Sequence, residues 1–162
     1  MNVKSIRKTP SSNLFFIASV LVVLINAFFV LISHLSGLVY AQENSLMQQQ
    51  LYVVFFKVVF IAPIVETLLF QFTIIELGAY AFGKLPMRVG GIYTIPVLSS
   101  SLAFSLSHPF SVLYVICTFL IGLILAVSYV QISKREGMSI ACMFCIGVHM
   151  ISNAFSFFMN LL

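Results

Sequence analysis

Charged residues are scarce in this sequence. Of its 162 residues only 8 are Lys or Arg and 4 are acidic, so 7% are charged and 61% are hydrophobic. Soluble domains are about 25% charged and about 45–50% apolar. So few charges cannot cover a water-exposed surface, which excludes an ordinary soluble globule, a disordered chain and a nucleic-acid-binding protein. The mean hydropathy of +1.13 predicts an all-α, polytopic membrane protein instead.

Cysteines and long polar segments are also few. The three cysteines, Cys117, Cys142 and Cys145, all lie within apolar runs, and an odd number in such positions argues against a disulfide framework. Cys142 and Cys145 have the spacing of a redox or metal pair, but small packing residues on one helix face are the preferred interpretation. Because no loop could hold a soluble domain, we expect one membrane domain, 14–162, after a basic segment, 1–13.

Apolar runs predict a bundle of about five transmembrane helices, since about 20 apolar residues span the hydrocarbon core as a helix. The first run is longer than the ~7–15 residues of a signal-peptide core, so we predict an uncleaved helix. The turn at 107–111 hardly leaves the apolar sequence, and a re-entrant bend is the alternative there. The predicted spans are Leu14–Leu35, Leu51–Ile75, Ile92–Ser107, Val112–Gln131 and Met138–Asn160.

The basic residues predict the orientation. With five spans, three basic clusters fall on one side of the membrane, which is the cytoplasmic side by the positive-inside rule. We therefore expect a multi-pass plasma-membrane protein with a cytoplasmic N-terminus. Lys57 is the exception, and its long stem can reach the outer interface. The clusters are Lys4, Arg7 and Lys8; Lys84 and Arg88; and Lys134 and Arg135.

Four polar residues within the apolar segments are candidates for function: Glu66, His108, His149 and Asn153. A charged residue at the centre of a spanning helix costs about 2.5–3.5 kcal/mol, so it needs a partner or a cavity. Pro63 should free a backbone carbonyl near Glu66. Each candidate also has a purely structural interpretation, as a neutral acid between helices, a helix cap or an interhelical hydrogen bond.

One acid, two histidines and one amide on three helices suit hydrolysis. A carboxylate beside an imidazole can take a proton from water, and an imidazole with an amide can stabilise an oxyanion. The same set could instead bind zinc through Glu66, His108 and His149, with the fourth position open. The spacing alone does not choose between these mechanisms.

Three motifs in chain order resemble those of the CAAX-protease and bacteriocin-processing family of intramembrane endopeptidases. The likeness covers about residues 58–155, and the three together are more specific than any one alone. The family's E-E-x-x-x-R corresponds to Glu66, Thr67 and Gln71, its F-x-x-x-H to Phe104 and His108, and its H-x-x-x-N to His149 and Asn153.

This resemblance implies an endopeptidase that cuts a peptide or a membrane-protein substrate near the bilayer. It implies that Glu66, aided by His108, activates water, while His149 and Asn153 stabilise the tetrahedral intermediate. Family members are often called metalloproteases. We favour a glutamate-dependent mechanism without a metal cofactor, because the sequence offers no obvious carboxylate to orient either histidine.

Two residues depart from the family pattern: Thr67 replaces the second glutamate and Gln71 replaces the arginine. A hydrogen bond between Thr67 and Gln71 could replace the structural part of that pair but not its charge. The alternative function is therefore a non-catalytic relative: an immunity, sensor or assembly protein that binds a membrane peptide or protein. A transporter subunit is disfavoured, because the apolar segments hold no repeated acid or second basic group for a relay.

Overall fold

Within the residues that the structure describes, the protein is a bundle of five helices. The computed structural model describes residues 11–38, 50–82 and 92–159, and it contains no β-strand within those ranges. The predicted all-α fold is therefore confirmed. The predicted basic segment 1–13 and the cluster at Lys84 and Arg88 lie mostly or wholly outside the described residues. The helices are α1 (Ser11–Ser36), α2 (Leu51–Ala81), α3 (Thr94–Leu106), α4 (Val112–Glu136) and α5 (Met138–Met159).

Four of these helices are long and apolar enough to cross a membrane: α1, α2, α4 and α5. The fifth, α3, has 13 residues, and at 1.5 Å per residue it is about 20 Å long, short of the roughly 30 Å hydrocarbon core. The span predicted for Ile92–Ser107 is therefore shorter as a helix than expected. Pro109 contributes to its early end, since the residue before a proline disfavours the helical conformation.

The α2 helix is not a regular α-helix. Segments Lys57–Ile61 and Thr67–Ile74 are π-helical and flank the α-helical Ala62–Glu66. The N–H of Ala62 donates to the carbonyl of Lys57, five residues back. The next carbonyl is that of Val58, and with the same five-residue spacing its donor would be the N–H of residue 63. Residue 63 is a proline, which has no N–H. Pro63 thus frees a carbonyl in the half of α2 that precedes Glu66, as predicted.

Close packing of α3 on α4 fixes the part of the bundle next to the candidate residues. A Cβ atom added at Gly122 of α4 would lie 2.9 Å from Phe104 Cδ1 and 3.3 Å from Ser101 Cα. Only glycine therefore lets α3 approach this closely.

The outer surface differs from that of a soluble protein, because large apolar side chains are exposed on every helix, as a bilayer requires. Examples are Phe16, Leu77, Leu102, Val112 and Met143.

Candidate active site

Glu66 lies between two histidines from other parts of the bundle. Its Oε1 is 3.6 Å from Nε2 of His108, in the turn after α3, and its Oε2 is 3.5 Å from Nε2 of His149 on α5. The side chain of His149 is 2% exposed, while those of Glu66 and His108 are 21% and 17% exposed. The fold therefore brings together three polar residues that are up to 83 positions apart in the sequence.

The backbone of α3 fixes the orientation of His108. Its Nδ1 is 2.8 Å from the carbonyl oxygen of Phe104, and a carbonyl only accepts, so Nδ1 carries the hydrogen. In the neutral imidazole the lone pair on Nε2 then faces Glu66. The Phe104 ring lies 4.9 Å from the His108 ring and 5.3 Å from the His149 ring, between centroids. Phe104 thus contacts both imidazoles and helps to hold them around Glu66.

His149 has the other orientation. Its Nδ1 is buried, and no described residue forms a hydrogen bond with it. The neutral tautomer with its hydrogen on Nε2 is therefore the one that can donate toward Glu66. A histidine that ligates a metal almost always donates its second ring N–H to a carboxylate, carbonyl or water. His149 has no such acceptor among the described residues, so this set fits a hydrolytic zinc poorly.

Asn153 lies one helical turn beyond His149 and joins α5 to α2. Its Nδ2 donates to the carbonyl of Val58 at 2.9 Å, which is the carbonyl that Pro63 leaves without a helical donor. One Asn153 N–H therefore replaces the missing backbone hydrogen bond. An amide carries two N–H donors, so the second is available for another acceptor.

A small cavity of about 10 Å³ lies beside these residues. A void of that size holds about one water molecule, and Glu66 is not among its lining residues. In this conformation the cavity admits water but not a peptide. Its lining includes the polar residues Asn26, His108, Tyr114, Thr118, His149, Ser152, Asn153 and Ser156.

Asn26 on α1 is a residue that the sequence interpretation missed. Its Nδ2 donates to the carbonyl of Val22 at 3.0 Å and to Oγ of Ser152 at 2.9 Å. Its Oδ1 accepts from Oγ of Ser156 at 3.0 Å and from Sγ of Cys117 at 3.8 Å. A lone asparagine within an otherwise apolar run was the available indication, because such amides form interhelical hydrogen bonds in membranes.

The hydrogen bond considered between Thr67 and Gln71 is not formed. Both side chains are 0% exposed, and neither Thr67 Oγ1 nor either amide atom of Gln71 forms a hydrogen bond with a described residue. The prediction assumed an α-helix, in which residues four apart share a face. Thr67–Ile74 is π-helical rather than α-helical, so the α-helical side-chain geometry that the expectation used does not apply there.

Comparison with known proteins agrees with the three motifs. The family profile described as type II CAAX prenyl endopeptidase Rce1-like matches residues 47–155, about two thirds of the chain. The chain belongs to this family. No curated protein and no solved structure matches the sequence. The protein is thus a membrane protein of the CAAX-protease family, and α1, which carries Asn26, lies outside the matched region.

Proposed function

We propose that this protein is an intramembrane endopeptidase whose general base is Glu66. The observation that carries the proposal is the position of its carboxylate, with one oxygen facing each imidazole at 3.5–3.6 Å. These distances exceed a direct hydrogen bond of about 2.7–3.2 Å. They therefore suit groups whose hydrogen bonds tighten when a substrate binds, as catalytic hydrogen bonds in unliganded enzymes often do.

The tautomers define a proton path for hydrolysis. Glu66 takes a proton from water as the water oxygen attacks the peptide carbonyl carbon, and the protonated Glu66 can then donate a hydrogen bond to the lone pair of His108 Nε2. The peptide C–N bond then breaks, and the same proton passes to the departing nitrogen. His149 Nε2–H and the second N–H of Asn153 are donors for the intermediate oxyanion. No step in this path requires a metal ion, so we propose that the activity survives treatment with a chelator.

The proposed substrate is a peptide or membrane protein presented at the bilayer, and the family name makes a prenylated CAAX peptide the first to test. For the topology we propose a plasma-membrane protein with a cytoplasmic N-terminus, on the basis of the basic clusters. The bilayer itself is then a partner of the exposed apolar surface. A peptide needs more space than the small cavity, so the helices around it must separate during turnover.

Replacing Glu66 with glutamine tests the proposal. Glutamine keeps the shape and can form hydrogen bonds but cannot accept the proton, so Glu66→Gln should reduce cleavage by about 10²-fold or more. Cleavage would be measured with a prenylated CAAX peptide and by profiling new protein termini in membranes, each normalised to the abundance of the variant. Glu76→Gln is the matched control, because it removes another α2 carboxylate outside the cluster. Full activity of Glu66→Gln at normal abundance would contradict the proposal.

A non-catalytic binding role is the second candidate. The observation that favours it is the pair of buried, unpartnered side chains where the family motif has a glutamate and an arginine. In this role Glu66 is a protonated, neutral acid that keeps the two histidines in place and takes no part in catalysis. This role predicts that Glu66→Gln leaves both abundance and the cellular phenotype unchanged, which is the opposite of the result expected for the enzyme.

A further inference from the structure

Two apolar grooves flank one stretch of α4, away from the candidate active site. The groove between α3 and α4 has a volume of about 810 Å³, and the groove between α1 and α4 has about 330 Å³. Both fall in the range of about 300–1,000 Å³ that ligand sites occupy. They share Leu123, Val127 and Gln131, which are four residues apart and so form a single ridge between the grooves.

The two grooves have apolar walls and one polar end. Val97 and Leu98 of α3 line one, and Ala18 and Leu21 of α1 line the other. Since these helices lie in hydrocarbon, acyl chains are the groups available to fill open apolar grooves. Two chains separated by one ridge match the two chains of a single phospholipid.

Lys134 supplies a positive charge at the polar end. It lines the α3–α4 groove one turn beyond Gln131, and its Nζ lies 3.9 Å above the Tyr93 ring. The nearby acid, Glu136, is two residues away and so points elsewhere on the helix. It accepts a hydrogen bond from Ser11 of α1, and it does not line either groove.

We propose that these grooves bind one anionic phospholipid, with an acyl chain on each side of the α4 ridge and the phosphate at Lys134. Basic pockets between transmembrane helices are typical sites for anionic headgroups. The segment 83–91 of this chain is a poorer occupant, because it would add the positive charges of Lys84 and Arg88 next to Lys134. The proposal does not depend on whether the protein is a protease.

The absence of tryptophan makes the test direct. A single tryptophan introduced as Leu98→Trp reports from the α3–α4 groove, in full-length protein reconstituted into vesicles. Quenching by brominated phosphatidylglycerol is compared with quenching by brominated phosphatidylcholine. Leu69→Trp, on the lipid-exposed surface of α2, is the control reporter. A lysine near a headgroup should raise the affinity of the groove for the anionic lipid about fivefold over the neutral lipid. Quenching of the Leu98→Trp reporter should show this preference, and quenching of the Leu69→Trp reporter should show little.

Charge substitutions test whether Lys134 binds the lipid headgroup. In the Leu98→Trp background, Lys134→Gln should abolish the preference and Lys134→Arg should retain it. Lys57→Gln, which removes the same charge from α2, should leave it unchanged. Equal quenching by the two lipids in unmodified Leu98→Trp protein would refute the headgroup site. Absence of quenching by either lipid, with Leu69→Trp quenched normally, would show that protein fills the groove and would also overturn the proposal.

Discussion

Two buried amides in this bundle have opposite surroundings. Asn26 is 2% exposed and uses both N–H groups and both lone-pair positions. Gln71 is 0% exposed, and neither of its amide atoms has a partner among the described residues. A buried amide stabilises the fold only when it is hydrogen-bonded, and otherwise it costs free energy. The difference indicates that the hydrogen bonds around Asn26 are complete, whereas the buried side chains of Thr67 and Gln71 on α2 have no partner among the described residues.

The incomplete side coincides with the departure from the family motif. Thr67 and Gln71 stand where the family has a glutamate and an arginine, and both are fully buried. Asn26 lies outside the region that matches the family. This chain therefore combines a fully hydrogen-bonded Asn26, outside the matched region, with a family motif in which Thr67 and Gln71 replace the charged pair. Substitutions on the two sides should consequently differ in sign as well as in size.

The largest effect is expected from restoring the charged pair. Gln71→Arg alone places an unpaired charge in the bundle and should destabilise the protein by about 3–5 kcal/mol. Adding Thr67→Glu should recover most of that loss, and the double variant should cleave peptide about tenfold faster if charge limits Glu66. The measurements are the free energy of unfolding in detergent and the cleavage rate for both single variants and the double.

The double-variant cycle also tests the geometry of α2. If the free energies of the two single substitutions merely add, the two side chains do not meet. That outcome would mean that the backbone of the π-helical Thr67–Ile74 keeps the introduced carboxylate and guanidinium apart. The comparison of the two amides would then reflect the backbone of α2 rather than the missing charges.

Replacing Asn26, whose amide is fully hydrogen-bonded, should reduce stability by a smaller but measurable amount. Asn26→Leu loses interhelical hydrogen bonds worth about 0.6 kcal/mol each and leaves the hydroxyls of Ser152 and Ser156 with fewer partners. We expect a loss of about 2 kcal/mol in the free energy of unfolding, measured by circular dichroism during SDS titration.

The two serines provide the control for Asn26. Ser152→Ala and Ser156→Ala should each cost less than Asn26→Leu, because each removes one contact. Combining all three substitutions should cost less than the sum of the separate losses, since neither serine hydroxyl is then left without its Asn26 partner. Strict additivity would show that Asn26 does not couple these residues.

The sequence was sufficient to predict the helices and the residues that meet around Glu66. Apolar runs mark helices because the bilayer requires every backbone group to bond internally, and Glu66, His108 and His149 were conspicuous as polar residues within those runs. The carbonyl freed by Pro63 also followed from chemistry alone.

Features set by packing between helices could not be predicted. The residues that contact Asn26 come from α4 and α5, about 90–130 positions away, and no local pattern specifies them. The hydrogen bond considered between Thr67 and Gln71 is absent, and no local pattern indicated that this segment is π-helical rather than α-helical. Hydropathy marks only the apolar run Ile92–Ser107, so it did not locate the ends of the shorter helix α3 within that run.

The smallest effect should come from Gln71→Leu, and its sign is the sharpest test of the comparison. Leucine has a similar size and removes two buried polar atoms that have no described partner. We expect stability to stay constant or to rise by about 1 kcal/mol. Thr67→Val, which replaces a buried, unpartnered hydroxyl with a methyl group, should behave in the same way. If both variants instead lose more than about 1 kcal/mol in the same SDS titration, then these groups have hydrogen-bond partners, and the contrast with Asn26 fails.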